Sequence, residues 1–322
     1  MTQKLWRWVG ALALAASSLA HAQYPNRPIR LVVPFPPGGG LDVTARTIQQ
    51  KLQDTLGVPI VVENRAGAAG TIGADSVAKG ATDGYTILLG NIGTMALYPA
   101  TYDKVAYKTM TDFVPVTQLI SNSLVAVIPA SNPAQTLPEF VAYVRTNPGK
   151  ISYASGGSGA ITHLAGEMLK AQVGIDMLHV PYKGSAPAVT DLRGGQVQLL
   201  IDVLAVTQPH IKSGKLRAIG VTGSARLPAM PDVPTFEEAG LKGYNATGWQ
   251  GIFVAAGTPK EIVAKLNDAL LKVLAEREIQ EKFVANGAEV TPRGTDTFGP
   301  YVASEIEKWT RIAKAANVKV DY

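Results

Sequence analysis

Cysteine is absent from all 322 residues, which excludes a disulfide framework and any cysteine-ligated metal. Histidine is nearly as scarce, with four in the whole chain. None stands in a His-Glu-x-x-His spacing, so no metal site is expected. Lysine and arginine never gather into a run or alternate with aromatics, and a nucleic-acid surface is not expected either. Long apolar stretches are missing after residue 19. The one before it, from Trp8 to Leu19, follows Lys4 and Arg7 and ends in Ala20-His21-Ala22. It is shorter than the ~20 residues of a membrane span and carries the small-x-small pattern of a signal-peptidase site. Residues 1–22 are therefore expected to be a signal peptide cleaved after Ala22, and the mature chain to be exported to a periplasm-like compartment. Loss of Lys4 and Arg7 would lower the formal charge of +5 by two. An exported chain without disulfides must be held by its cores, and 46% hydrophobic residues over a two-domain length provide for that.

What is present is organised around Ile29-Arg-Leu-Val-Val-Pro-Phe-Pro-Pro-Gly-Gly-Gly-Leu-Asp42. Residues 29–33 form a short β-branched apolar run of the kind buried on both faces of a parallel sheet. After Gly40 the period changes, and Leu41, Ala45, Ile48, Leu52 and Leu56 recur at helical steps. Between them Gly38, Gly39 and Gly40 bring backbone amides to a helix start with no side chain in the way, following Phe35 and two prolines. This is either an anion site or a tight turn that binds nothing. Strands are expected at 59–63 and 85–89, the second running into the polar loop Gly90-Asn91-Ile-Gly-Thr94. Ligands of open α/β sheets sit at that strand edge. Gly67, Gly70 and Gly73 lack the dinucleotide spacing and read as close packing. Two β runs, 114–119 and 124–128, flank Ser121-Asn122-Ser123. A second α/β series follows, with capping boxes at Thr136–Glu139 and Thr258–Glu261, a turn of helix at 209–213, and an irregular, proline-bearing stretch at 226–245. The alternation predicts a mostly parallel sheet.

The second series repeats the glycine design in Ser155-Gly-Gly-Ser-Gly-Ala-Ile-Thr-His163. Two such loops facing each other would surround an anion with the amides of Gly157 and Gly159 and the hydroxyls of Ser155, Ser158 and Thr162, with His163 and Tyr182 beside them. Asp202 closes an apolar strand. It either caps the next turn or accepts a hydrogen bond from a ligand amine or hydroxyl. The rival reading is a secreted serine hydrolase using Ser158, His163 and Asp202; the G-x-S-x-G elbow is not met, because position 160 is alanine. No cofactor is expected, and a receptor without turnover is favoured over an enzyme.

With these residues in place, the chain resembles the receptor family of tripartite tricarboxylate transporters, the Bug-type receptors. The resemblance rests on Tyr24-Pro-x-Arg-Pro-Ile29, Val33-Pro-Phe-Pro-Pro-Gly-Gly-Gly-Leu-Asp42, Glu63-Asn-Arg65, Asp83-Gly-Tyr85, Ser155-Gly-Gly-Ser-Gly159, Thr162-His-Leu164, Val180-Pro-Tyr-Lys-Gly184 and Trp249 ahead of Phe253. It implies a type II periplasmic-binding-protein fold, with two α/β lobes and a ligand cleft between them. On that basis residues 23–125 and 246–322 are expected to form lobe 1 and residues 126–245 lobe 2. A small carboxylate would be held by the two glycine-rich loops, with Phe35, Asp42, Asn91 and Thr94 among the contacts. The partners implied are that ligand and the membrane components of the transporter, and the receptor is expected to be a monomer. Which carboxylate is bound stays open.

Overall fold

The computed structural model describes residues 24–102 and 104–320. The expected signal peptide and its cleavage site lie outside the described residues. The chain builds β1 (Ile29–Val33), α1 (Gly40–Leu56), β2 (Ile60–Asn64), α2 (Thr71–Ala78) and β3 (Thr86–Asn91), with the three strands parallel in the order β2-β1-β3. Both faces of β1 are covered, which is why its run is continuously apolar. Ile29, Leu31 and Val33 pack with Leu41, Ala45 and Ile48 of α1, while Val32 shares a core with Ala74 and Val77 of α2. Close packing accounts for Gly73, where an added Cβ would stand 2.7 Å from the Arg65 carbonyl and from Pro34.

The two β runs flanking Ser121-Asn122-Ser123 prove to be one strand, β4 (Phe113–Pro129). The polar trio does not break it; there the strand changes partners. Phe113 to Ser123 pair antiparallel with β9 (Thr247–Ala255), and Leu124 to Pro129 with β7 (Leu199–Val203) and β8 (Leu216–Val221). These long crossing strands make the sheet mixed instead of mostly parallel. The return crossing lies alongside, since Thr247 is in register with Ser123 and the preceding Ala246 carbonyl still accepts the Thr222 hydroxyl at 2.8 Å.

Beyond the crossing, α3 (Leu137–Thr146), β5 (Ser152–Ser155), α4 (Ile161–Val173), β6 (Leu178–Pro181), α5 (Ser185–Arg193) and α6 (Leu204–Lys212) surround β7 and β8, with β5 parallel to β6 and β7. Thr136 caps α3 as its sequence predicts, accepting the Glu139 amide. Pro209 suggested only a turn at 209–213, but α6 starts directly after β7 and carries the proline inside it. The chain returns through β9 to α7 (Lys260–Ala275), α8 (Arg277–Ala285), β10 (Glu289–Arg293) and α9 (Thr295–Ala315). The capping box expected at Thr258 does not form: its buried hydroxyl donates to the Ala255 carbonyl at 2.7 Å, so α7 begins uncapped. α9 lies across the first unit and reaches α4 of the second. Among the described residues no helix is long and apolar enough to cross a membrane.

Candidate functional site

The first glycine loop is held from within. The Gly38 amide, at φ +80°, donates to Asp42 Oδ2 at 2.9 Å. Arg46 Nε donates to the same oxygen at 2.8 Å, and Asn64 Nδ2 bridges Asp42 Oδ1 at 3.0 Å and the Phe35 carbonyl at 3.1 Å. The Arg46 bond, followed by those from Gly38 and Asn64, pulls the Asp42 carboxyl down to about 2. Asp42, expected among the ligand contacts, has both oxygens committed and braces the loop instead. Gly39 stands at the N-cap of α1 with no side-chain cap. The amides of Gly40, Leu41 and Asp42 consequently have no acceptor among the described residues. Phe35 packs over Gly70, where an added Cβ would stand 3.0 Å from its ring.

Gly40, which carries the first of these free amides, lines a cavity of about 280 Å³ between the two units. Its walls are Gly40, Asn91 and Ile92 from the first unit, Ile161 and residues 203–205 from the second, residues 122–124 and 248–250 from the two crossings, and Asn286-Gly287. A neighbouring space of about 260 Å³ shares Gly40, Asn122, Gln250 and Asn286 and extends beneath Gly38 and Thr44. Asn91 Oδ1 accepts the Thr94 amide at 2.9 Å. Thr94 itself is fully buried behind it, its carbonyl taken by the Tyr107 hydroxyl at 2.5 Å. Sequence reasoning missed Asn122, Gln250 and Asn286. A signal existed for the first two, which are polar residues in the middle of apolar strands. Gln250 Oε1 is buried with no hydrogen-bond partner among the described residues.

In the second glycine loop most of the expected contacts are turned inward. Ser155 Oγ lies 2.7 Å from His179 Nε2 and accepts the Gly157 amide at 3.2 Å. Thr162 Oγ1 accepts the Gly156 amide at 2.9 Å, and His163 Nδ1 accepts the Gly159 amide at 3.1 Å. Tyr182 donates to Asp191 Oδ2 at 2.7 Å. Ser155, Thr162, His163 and Tyr182 therefore shape the loop and its surroundings. Ser158 is exposed and has no hydrogen bond among the described residues. Gly159 meets the other unit, because a Cβ there would stand 2.9 Å from Val320 and 3.2 Å from the Thr101 hydroxyl. Of this region only Ile161, just past the loop, lines the cavity. The hydrolase geometry is not present among the described residues: nothing joins Ser158 to His163, whose Nδ1 is occupied by the Gly159 amide.

His163 and His179 stack at 3.6 Å between ring centroids. Burial first, then Lys170 for His163 and its partner ring for His179, pushes both down to about 4. A histidine with a lowered folded pKa is protonated first in the unfolded chain, so stability is full above the ordinary value of ~6.5 and declines as pH falls towards 4. The urea midpoint is expected to be lower at pH 5 than at pH 7; equal midpoints would refute this coupling. Asp202 ends β7 at 2% exposure. Its Oδ1 accepts the Val203 amide at 2.7 Å and its Oδ2 has no hydrogen-bond partner among the described residues. Burial raises its carboxyl above the usual range, an effect that the neighbouring Ser185 hydroxyl and Val203 amide only partly offset.

Residues 44–318 match the model of the tripartite tricarboxylate transporter family receptor. Protein BugT of Bordetella pertussis is 36% identical over 311 residues, covering 96% of this chain and 95% of that protein. Among solved structures, R. palustris Rpa4515 with adipate is 34% identical with a TM-score of 0.78, covering 93% of this chain and all of that one. MatC from Rhodopseudomonas palustris with bound malate is 35% identical with a TM-score of 0.73, covering 90% of this chain and 99% of that one. The two-lobed α/β fold and the glycine loop at its cleft thus accompany a family match that spans most of the chain: the protein belongs to the tripartite tricarboxylate transporter receptor family, the periplasmic solute-binding receptors of the Bug type.

Proposed function

We propose that this receptor captures a small carboxylate at the uncapped start of α1, closes its lobes on it, and delivers it to the membrane components of a tripartite transporter, acting as a monomer without turnover. The observation that carries this reading is the run of free amides at Gly40, Leu41 and Asp42, whose first residue, Gly40, lines the interlobe cavity. A helix start carries about half a positive charge, so it suits one carboxylate without an arginine. Adipate and malate, bound by two of the similar structures, are both dicarboxylates. In our assignment Phe35 and residues 38–40 frame that carboxylate, Asn91 flanks it, and the Ser155, Gly157, Ser158 and Gly159 loop comes over it as the lobes close. Residues 23–125 with 246–322, and 126–245, are the proposed lobes. The partner change of β4 at Ser123 and Leu124 supports pivots near those boundaries.

Two acceptors without donors, Asp202 Oδ2 and Gln250 Oε1, favour a ligand that carries a hydroxyl or ammonium away from its acid. A triply charged ligand fits less well, because each further buried carboxylate needs donors of its own. A thermal-shift panel of mono-, di- and tricarboxylates, with and without hydroxyl or amino substituents, tests the reading. Saturation at 100 times the dissociation constant stabilises by ~2.7 kcal/mol, and a panel in which no acid raises the melting temperature would remove the proposal. Scattering with the best ligand is expected to show a smaller radius of gyration.

Asp202→Asn is expected to separate ligand types. Loss of a charged hydrogen bond weakens a hydroxy or amino acid by roughly ten- to a hundredfold and leaves the unsubstituted acid nearly unchanged. Equal calorimetric affinities of wild type and variant for both ligands would return Asp202 to the bland role of holding the Val203 amide.

A further inference from the structure

A cavity larger than the cleft lies elsewhere among the described residues. A groove of about 600 Å³ runs between α4 and α9, within the ~300–1,000 Å³ of small-molecule sites. One wall is Met168, Ala171 and Ile175 at the end of α4, the other Ile312, Ala315 and Ala316 at the end of α9. Ala171, Ala315 and Ala316 contribute only small side chains, Met168 and Ile312 are left half-buried, and Ile175 is buried. Three cations face this apolar trough. Lys170 is already paired with Glu167 at 3.0 Å, and Lys308 with Glu305. Arg311 makes no ion pair or hydrogen bond among the described residues.

We propose that this groove is a second binding site, for an amphipathic carboxylate whose acid group meets Arg311 and whose aliphatic body lies against Met168, Ile175 and Ile312. A planar guanidinium pairs with a carboxylate through two parallel hydrogen bonds. A chain of several methylenes gains by leaving water as each one is buried, which an acid without a tail does not. Because α4 and α9 belong to different α/β units, the occupant bridges them. The site stands independently of the cleft assignment, since it shares no lining residue with the interlobe cavity.

Octanoate, titrated by calorimetry into the mature chain with acetate and 1-octanol as controls, tests the proposal. Octanoate is expected to bind, and the two controls to bind far more weakly. Arg311→Glu, at an exposed position with no partner to lose, is expected to weaken octanoate by roughly ten- to a hundredfold. Ala315→Trp, which fills the groove, is expected to do the same. Unchanged urea midpoints would show both variants folded. No octanoate binding, or binding that survives both substitutions because it occurs in the cleft, would overturn the site. Octanol binding as tightly as octanoate would overturn the role of Arg311 and with it the proposal.

Discussion

Gly40→Asp is expected to abolish carboxylate binding while leaving the protein folded and no less stable. Position 40 opens α1 and is exposed, and a Cβ built there meets nothing within 4 Å. Its φ is not in the left-handed region, so a side chain adds no backbone strain. An acid in a first helical turn stabilises by ~0.3–1 kcal/mol. In the cleft the same charge acts against function. It competes for the free amides, and it stands where the ligand acid would lie. Two like charges 4 Å apart at an effective dielectric constant near 20 repel by ~4 kcal/mol, and even half of that costs more than tenfold in affinity. Gly40→Asn, of nearly equal size and no charge, separates repulsion from bulk. Calorimetry with the best ligand of the panel should rank wild type first, the asparagine variant next and the aspartate variant last. If the aspartate variant binds as wild type does, the ligand's acid is not at this helix start.

The first unit was legible because its signals are local. The apolar run of β1, the glycines before Leu41 and the helical period of α1 each act within a few residues, and the fold preserves all three. The crossings were harder to read, since the partner change of β4 at Ser123 depends on strands more than 70 residues further along the chain. The site was legible by loop and less so by side chain. Asp42, Ser155, Thr162 and His163 are the residue types that touch anions, and they are also the types that satisfy a tight loop's own amides. Only the fold shows that each is already committed to the loop beside it. Conversely Gln250 shows in the sequence only as a polar residue inside an apolar strand, and its unpaired acceptor emerges only once β9 lies against β4.

Glu305→Ala is expected to be the most destabilising single change near the cleft, because this one carboxylate serves three donors. Glu305 is 4% exposed. Its Oε2 accepts Trp309 Nε1 at 3.0 Å and Trp249 Nε1 at 3.3 Å, and its Oε1 pairs with Lys308. Both indoles are buried and have no water to turn to, so each N–H left alone costs ~1–3 kcal/mol. The Lys308 side chain is 21% exposed at the α4–α9 groove and can turn to water, so the loss expected in urea unfolding, about 2–6 kcal/mol, comes from the two indoles. Glu305→Gln keeps a neutral oxygen for the indoles and gives up only the charge, so its loss should be clearly smaller. The effect reaches function through Trp249, whose residue lines the interlobe cavity. Of the four tryptophans, Trp6 and Trp8 precede the expected cleavage site. Fluorescence of the mature chain therefore reports Trp249 and Trp309 alone, and a red shift is expected in the alanine variant at urea concentrations where the wild type stays folded. If both variants unfold at the wild-type midpoint, the carboxylate does not carry the packing of Trp249 and the cleft floor is held by its apolar contacts alone.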